Sequence, residues 1–155
     1  MKRSIVITVL TLFLVSILFY SNVFAESQAE KYLGEREMCL EVVRIKETRI
    51  LDDRTILFET LGGAVYISRL PADCPGLRIG GGFSYETANS KLCKQEIIQV
   101  VQPGSAMGST CGMGEFVRIK DVTNLRDAVK LLKNGVLEAL VEEGVFEAAF
   151  PPEKK

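Results

Sequence analysis

No histidine occurs in the 155 residues, and that absence decides most of what the chain can do chemically. It removes Ser-His-Asp and Cys-His nucleophilic catalysis, and with them most metallohydrolase ligand sets. Carboxylates, cysteines and aromatics remain. Asp52-Asp53, flanked by Arg49 and Arg54, is the only adjacent acidic pair between residues 38 and 120. Two carboxylates facing one substrate can serve as general acid and base. Asp52, Asp53 and Arg54 are therefore the candidate catalytic residues of a hydrolase. The competing reading is architectural: neighbours on a strand point to opposite faces, and aspartates in turns bind their own backbone. Arg54 would then pair with one of them as a surface ion pair. The architectural reading is the stronger.

Other candidate chemistry is weaker. Gly80-Gly81-Gly82 and Gly112-Met113-Gly114 do not match the G-x-x-x-x-G-K-[ST] phosphate loop, and neither leads into a helix N-terminus. They read as turns and close-packing sites. Phe58, Tyr66, Phe83 and Tyr85 fall at strand spacing, which favours an aromatic core over a ligand pocket in a barrel mouth. No cofactor or metal is implied.

The elements that must position these residues begin after a targeting segment. Lys2 and Arg3 precede an uncharged apolar run from Ile5 to Tyr20, and Val23-Phe24-Ala25 offers a signal-peptidase site before Glu26. Residues 1–25 are read as a cleaved signal peptide, in preference to an uncleaved anchor. With no cysteine at the cleavage point, N-terminal lipidation is not expected. The address is periplasmic or secreted, with no stable membrane span after cleavage. Removing Lys2 and Arg3 leaves 17 basic against 20 acidic residues, a net charge of −3. That balance gives no support for binding nucleic acid or anionic lipid. One domain of this size buries about two-thirds of its unfolded surface.

Residues 26–37 read as a polar lead-in, either a short helix or frayed chain. From Met38 the apolar alternation of a half-buried strand sets in, blurring at Arg44-Ile45-Lys46 as a bulge would. Ile50 to Leu70 reads as a β-meander, with turns at Asp52-Asp53-Arg54 and Gly62-Gly63 around a central strand TILFETL. Pro71 closes it. Phe83-Ser84-Tyr85 is a short strand with its aromatics on one face. Ile97-Ile98 and Val100-Val101 suggest burial on both sides, and Glu115 to Lys120 is the last strand. Residues 38–120 thus form the β domain. Residues 121–155 are a helical segment and tail, capped at Thr123 or Asn124, with Leu125, Ala128, Val129, Leu132 and Val136 on one stripe. One helix to about residue 143, or two broken at Gly135, both fit.

Cys39, Cys74, Cys93 and Cys111 are separated by 34, 18 and 17 residues. No C-x-x-C pair is present to activate a thiol or form a zinc knuckle. Four such cysteines in an exported chain read as two structural disulfides. Three connectivities are possible, and spacing does not choose among them. The preferred pairing is Cys74 with Cys93 and Cys39 with Cys111, tying the first strand to the last, worth about 3 and 4 kcal/mol by loop entropy.

Cys39-Leu40, the Leu51-Asp52-Asp53-Arg54-Thr55-Ile56 run, Leu70-Pro71, Cys74-Pro75-Gly76-Leu77, Phe83-x-Tyr85, Leu92-Cys93 and Cys111-Gly112-Met113-Gly114-x-Phe116 occur in that order. Over about residues 39–119 this resembles a family of small exported proteobacterial proteins catalogued as a domain of unknown function. The resemblance brings no catalytic assignment. The expected fold is α+β and mainly β: a small antiparallel barrel or sandwich with a C-terminal amphipathic helix and two disulfides. The expected function is a non-enzymatic module binding an envelope protein or a small ligand; the alternative is the periplasmic hydrolase using Asp52 and Asp53. Oligomeric state is not readable from the sequence.

Overall fold

The computed structural model describes residues 31–87, 89–101, 104 and 108–136. The signal segment 1–25, the cleavage point after Ala25 and the tail beyond residue 136 lie outside them. The first half of the domain holds β1 (Leu33–Glu37), β2 (Cys39–Glu41), β3 (Ile45–Ile50), β4 (Thr55–Thr60) and β5 (Val65–Arg69). After the one-turn helix α1 (Leu77–Gly80) come β6 (Phe83–Tyr85), β7 (Lys91–Cys93), β8 (Ile97–Val100), β9 (Thr110–Gly112), β10 (Phe116–Ile119) and helix α2 (Leu125–Leu131).

The meander is the heart of the fold. Asp52 to Arg54 turns β3 back onto β4, and Gly63, at φ 76°, turns β4 onto β5. Thr55–Thr60 is buried at every position, because its alternation serves two cores at once. Ile56, Phe58, Tyr66 and Phe116 face one cluster, which also holds Leu40, Leu92, Ile98 and Val100. Leu57, Val65, Ile67, Val117 and Ile119 face the other, with Leu125, Ala128 and Leu132 of the helical segment. Burying both faces of one sheet requires two covering layers. Helix α2 supplies one; the β2–β7 ribbon and the β6–β8–β9 sheet supply the other.

The main sheet runs β1-β10-β5-β4-β3, and every pairing among the described residues is antiparallel. It does not close into a barrel. The 3₁₀ turn Val42–Arg44 carries the chain out of the ribbon and into β3, so β2 and β3, though consecutive, belong to different layers. With β2 in another layer, β1 and β3 remain open edges.

Four expectations need correcting. The polar lead-in is partly a strand: Leu33–Glu37 pairs with β10, its signal hidden because an edge strand facing water can be charged. The disulfides are Cys39–Cys93 and Cys74–Cys111, not Cys74–Cys93 and Cys39–Cys111. Cys39 on β2 lies directly opposite Cys93 on β7, Cα 3.9 Å apart. The last strand, which the preferred pairing tied to Cys39, instead adds to β1 in the main sheet. Ile97 and Val101 are more than half exposed, leaving Ile98 and Val100 to face the core. The helix stays α-helical only to Leu131 and then widens into a π turn, Leu132–Val136.

Other expectations stand as read. A register shift between Ile45 and Glu47 marks the bulge. The Asn124 side chain caps α2 by accepting the Asp127 N–H at 2.9 Å and donating to the Asp127 carboxylate at 2.8 Å. Among the described residues, no helix is long and apolar enough to cross a membrane.

Candidate functional site

The Asp52-Asp53-Arg54 turn is occupied with holding backbone. Asp52 Oδ1 accepts the Arg54 N–H at 2.7 Å, the local closure that aspartate makes in turns. Asp53 Oδ1 accepts the Arg78 N–H at 2.9 Å, and the Asp53 carbonyl accepts the Cys74 N–H at 2.7 Å. Arg54 pairs with neither carboxylate. Its Nε donates to the Leu70 carbonyl at 2.9 Å, and a terminal nitrogen donates to that of Pro71 at 3.0 Å. The three residues fasten the end of β5 and the start of α1 to the first hairpin. The aromatics divide: Phe58 and Phe116 meet edge-to-face in the core at 5.2 Å, whereas Phe83 and Tyr85 are half-buried. Tyr66 alone combines burial with a polar partner.

Around Tyr66 the molecule has a cleft. Register places Tyr66 between Phe58 of β4 and Arg118 of β10, and Glu37 of β1 opposite Phe116. All project from the sheet face that the small sheets cover. Their apolar contacts seal one end of that face; the end holding Thr60, Tyr66 and Arg118 is not sealed. Cys39–Glu41 of the ribbon and Lys91 opposite it form the facing wall. Arg44, from the 3₁₀ turn, closes the side against Gly62. The resulting cavity measures about 460 Å³, within the size range of small-molecule sites.

At its floor, the 8%-exposed Tyr66 donates its phenol to Glu37 Oε1 at 2.7 Å. Burial pushes the phenol's pKa up to about 12; the Glu37 carboxylate adds to the rise, while Arg118 and Arg44 oppose it. The phenol is thus neutral and a donor at physiological pH, and both guanidiniums lie near enough to feel its charge state. Among the described residues, Arg44, Lys91 and Arg118 make no ion pair. Lys91 faces Glu41 across the ribbon, which leaves the two arginines against the single, already engaged Glu37.

Two other depressions are less suited. A more open one of about 880 Å³ follows β1 and the end of β10 to Thr123 and has no buried polar floor. One of about 470 Å³ surrounds Glu59, whose oxygens are already taken by the Lys46 ammonium and the Leu125 N–H. Among the described residues, no three Cys, Asp or Glu side chains cluster as metal ligands.

Sequence reasoning singled out Tyr66 only as an aromatic at strand spacing and missed Glu37, Arg44, Lys91 and Arg118. These residues come from four separate segments, and no spacing rule links them. The one available signal was Tyr66 facing the polar end of its own strand pair. No protein-family model, curated protein or solved structure matches the chain.

Proposed function

We propose that this protein is an exported, non-enzymatic binding module whose ligand enters the cleft between the five-stranded sheet and the β2–β7 ribbon. The observation that carries this reading is the convergence of three cations without ion pairs among the described residues over the buried Tyr66 and its hydrogen bond to the half-buried Glu37. Such a floor is rigid, because the phenol is held by packing and by one charge-assisted hydrogen bond. Rigid polar floors with unsatisfied charges above them are what a small-ligand site offers. Export follows from the Lys2-Arg3 and apolar N-terminal pattern, and two disulfides are consistent with an oxidising compartment. Asp52 and Asp53, each engaged by a backbone N–H, favour the architectural reading over a hydrolytic pair.

The test is amide NMR of the protein titrated with a mixed library of small charged and neutral fragments. Hits are expected to shift Leu40, Ala64, Tyr66 and Arg118 together, and to do so equally in Asp52→Asn and Asp53→Asn variants. Shifts confined to other surfaces would remove the cleft from consideration. Loss of binding in the aspartate variants would return the hydrolase reading to the front.

A further inference from the structure

The cleft's own chemistry narrows what it would hold. Arg44 and Arg118 reach the cleft from different elements, the 3₁₀ turn and β10, and both line it beside Tyr66. The Arg44 guanidinium rests against Gly62, 3.6 Å from where a Cβ would stand. Both arginines are exposed, and neither is neutralised by a carboxylate among the described residues. A guanidinium fork matches carboxylate and phosphate oxygens two at a time, which an ammonium does not. The cleft holds three cations, Arg44, Lys91 and Arg118, against two carboxylates, Glu37 and Glu41, so an entering cation would meet a net positive charge.

Next to the arginine of the turn, the surface becomes apolar. Val43 is 73% exposed and Leu61 is 69% exposed. The Leu61 N–H donates to the Arg44 carbonyl at 2.8 Å, so Val43 and Leu61 both adjoin the Arg44 backbone, outside the residues that line the cleft. Large apolar side chains left in water beside an unpaired cation can cover the body of an amphiphilic ligand whose charged head is held inside.

The geometry points to a small organic anion as the ligand: a carboxylate or phosphate head between Arg44 and Arg118, and a short apolar body over Val43 and Leu61. This rests on the cleft being the binding site. The bond to Glu37 keeps the phenol hydrogen away from the head, so Tyr66 acts as a floor and the arginines carry the recognition. No bond is made or broken.

The experiment uses matched probes on the whole protein, followed by calorimetry and amide NMR. Hexanoate and hexyl phosphate carry the anion, hexanamide and hexylamine replace it with a neutral or cationic head, and inorganic phosphate supplies a head alone. Hexanoate or hexyl phosphate is expected to bind with Kd of about 1 mM or tighter, at least about tenfold better than hexanamide and hexylamine. Whichever of the two binds more tightly identifies the head; inorganic phosphate is expected to bind more weakly than hexyl phosphate. Arg44→Gln and Arg118→Gln should each weaken the anion by about tenfold while leaving the thermal midpoint unchanged. If either variant fails to fold, the salt dependence of the unaltered protein decides: binding that does not weaken with added NaCl overturns the proposal. Equal or better binding of hexanamide or hexylamine in the cleft overturns the anion while leaving the cleft reading intact. Failure of all five probes to shift the cleft amides at about 10 mM also overturns the anion, and the fragment titration then shows separately whether the cleft binds anything.

Discussion

Glu59 is a carboxylate inside an otherwise apolar run, and its neighbours explain how it is tolerated there. The Lys46 ammonium donates to one oxygen and the Leu125 N–H to the other, and both hold its pKa below the usual carboxylate range while burial works against them. A carboxyl with a lowered folded-state pKa contributes stability above its unfolded value, near 4.5, and loses it as pH falls through the folded value. Glu59→Gln is therefore expected to lower stability at pH 7 and to flatten the acid limb of the stability curve. Urea titrations at pH 7 and at successive acid pH values would show both, and an unchanged acid limb would exclude the linkage. Asp53→Ala should cost about 1 kcal/mol, the usual loss for removing a side-chain acceptor of a helix N–H, measurable as a lower urea midpoint. The aspartate turn and the Asn124 cap were legible from residue type alone, because both are local. Glu59 was not, since its partners come from β3 and from the start of α2.

At the scale of elements, close approach separates one glycine from the next. A Cβ at Gly114 would stand 1.9 Å from the Arg69 carbonyl oxygen, a backbone atom that cannot swing aside. Gly114→Ala should cost about 3 kcal/mol, the upper part of the range for overpacking, and lower the thermal midpoint accordingly. Gly62→Ala meets only the Arg44 guanidinium at ordinary contact distance, so its midpoint should barely move; equal losses at the two sites would refute the steric account. The meander was readable because its hairpins are local and its turns carry the residues that turns require. The sheet was not fully readable: β1 looks like solvated chain, and only the vacant edge of β10 makes it a strand. The cleft is harder still, since its four walls meet only once the layers have stacked.

For the molecule as a whole, the corrected disulfides define how the layers are joined. Cys39–Cys93 closes the ribbon, and Cys74–Cys111 binds the loop after β5 to β9 of the small sheet. With sequence separations of 54 and 37, each constrains the unfolded chain by about 4 kcal/mol on loop entropy. Proteolysis without reduction, followed by mass spectrometry, should recover peptides joined as Cys39–Cys93 and Cys74–Cys111. A Cys74–Cys93 peptide would overturn this layer assignment. Apolar alternation, turn spacing and the four cysteines correctly indicated a mainly β domain with two disulfides. Connectivity stayed closed to them because pairing depends on which layer each strand joins, and the Val42–Arg44 turn makes that decision in three residues.

That short turn also sets a timetable. By sending β2 to a distant partner and leaving β1 to wait for β10, it makes the earliest strands depend on the latest. Leu33 has no ladder to join until Ile119 is available, and Cys39 has no partner until Cys93 arrives. The meander and the β6–β8–β9 sheet can assemble from neighbouring chain. Folding that must first close such long loops is slow. A chain emerging from its N-terminus would thus hold its first strands unpaired until nearly the whole domain had appeared, and the cleft, walled by both β2 and β10, would be among the last features to exist.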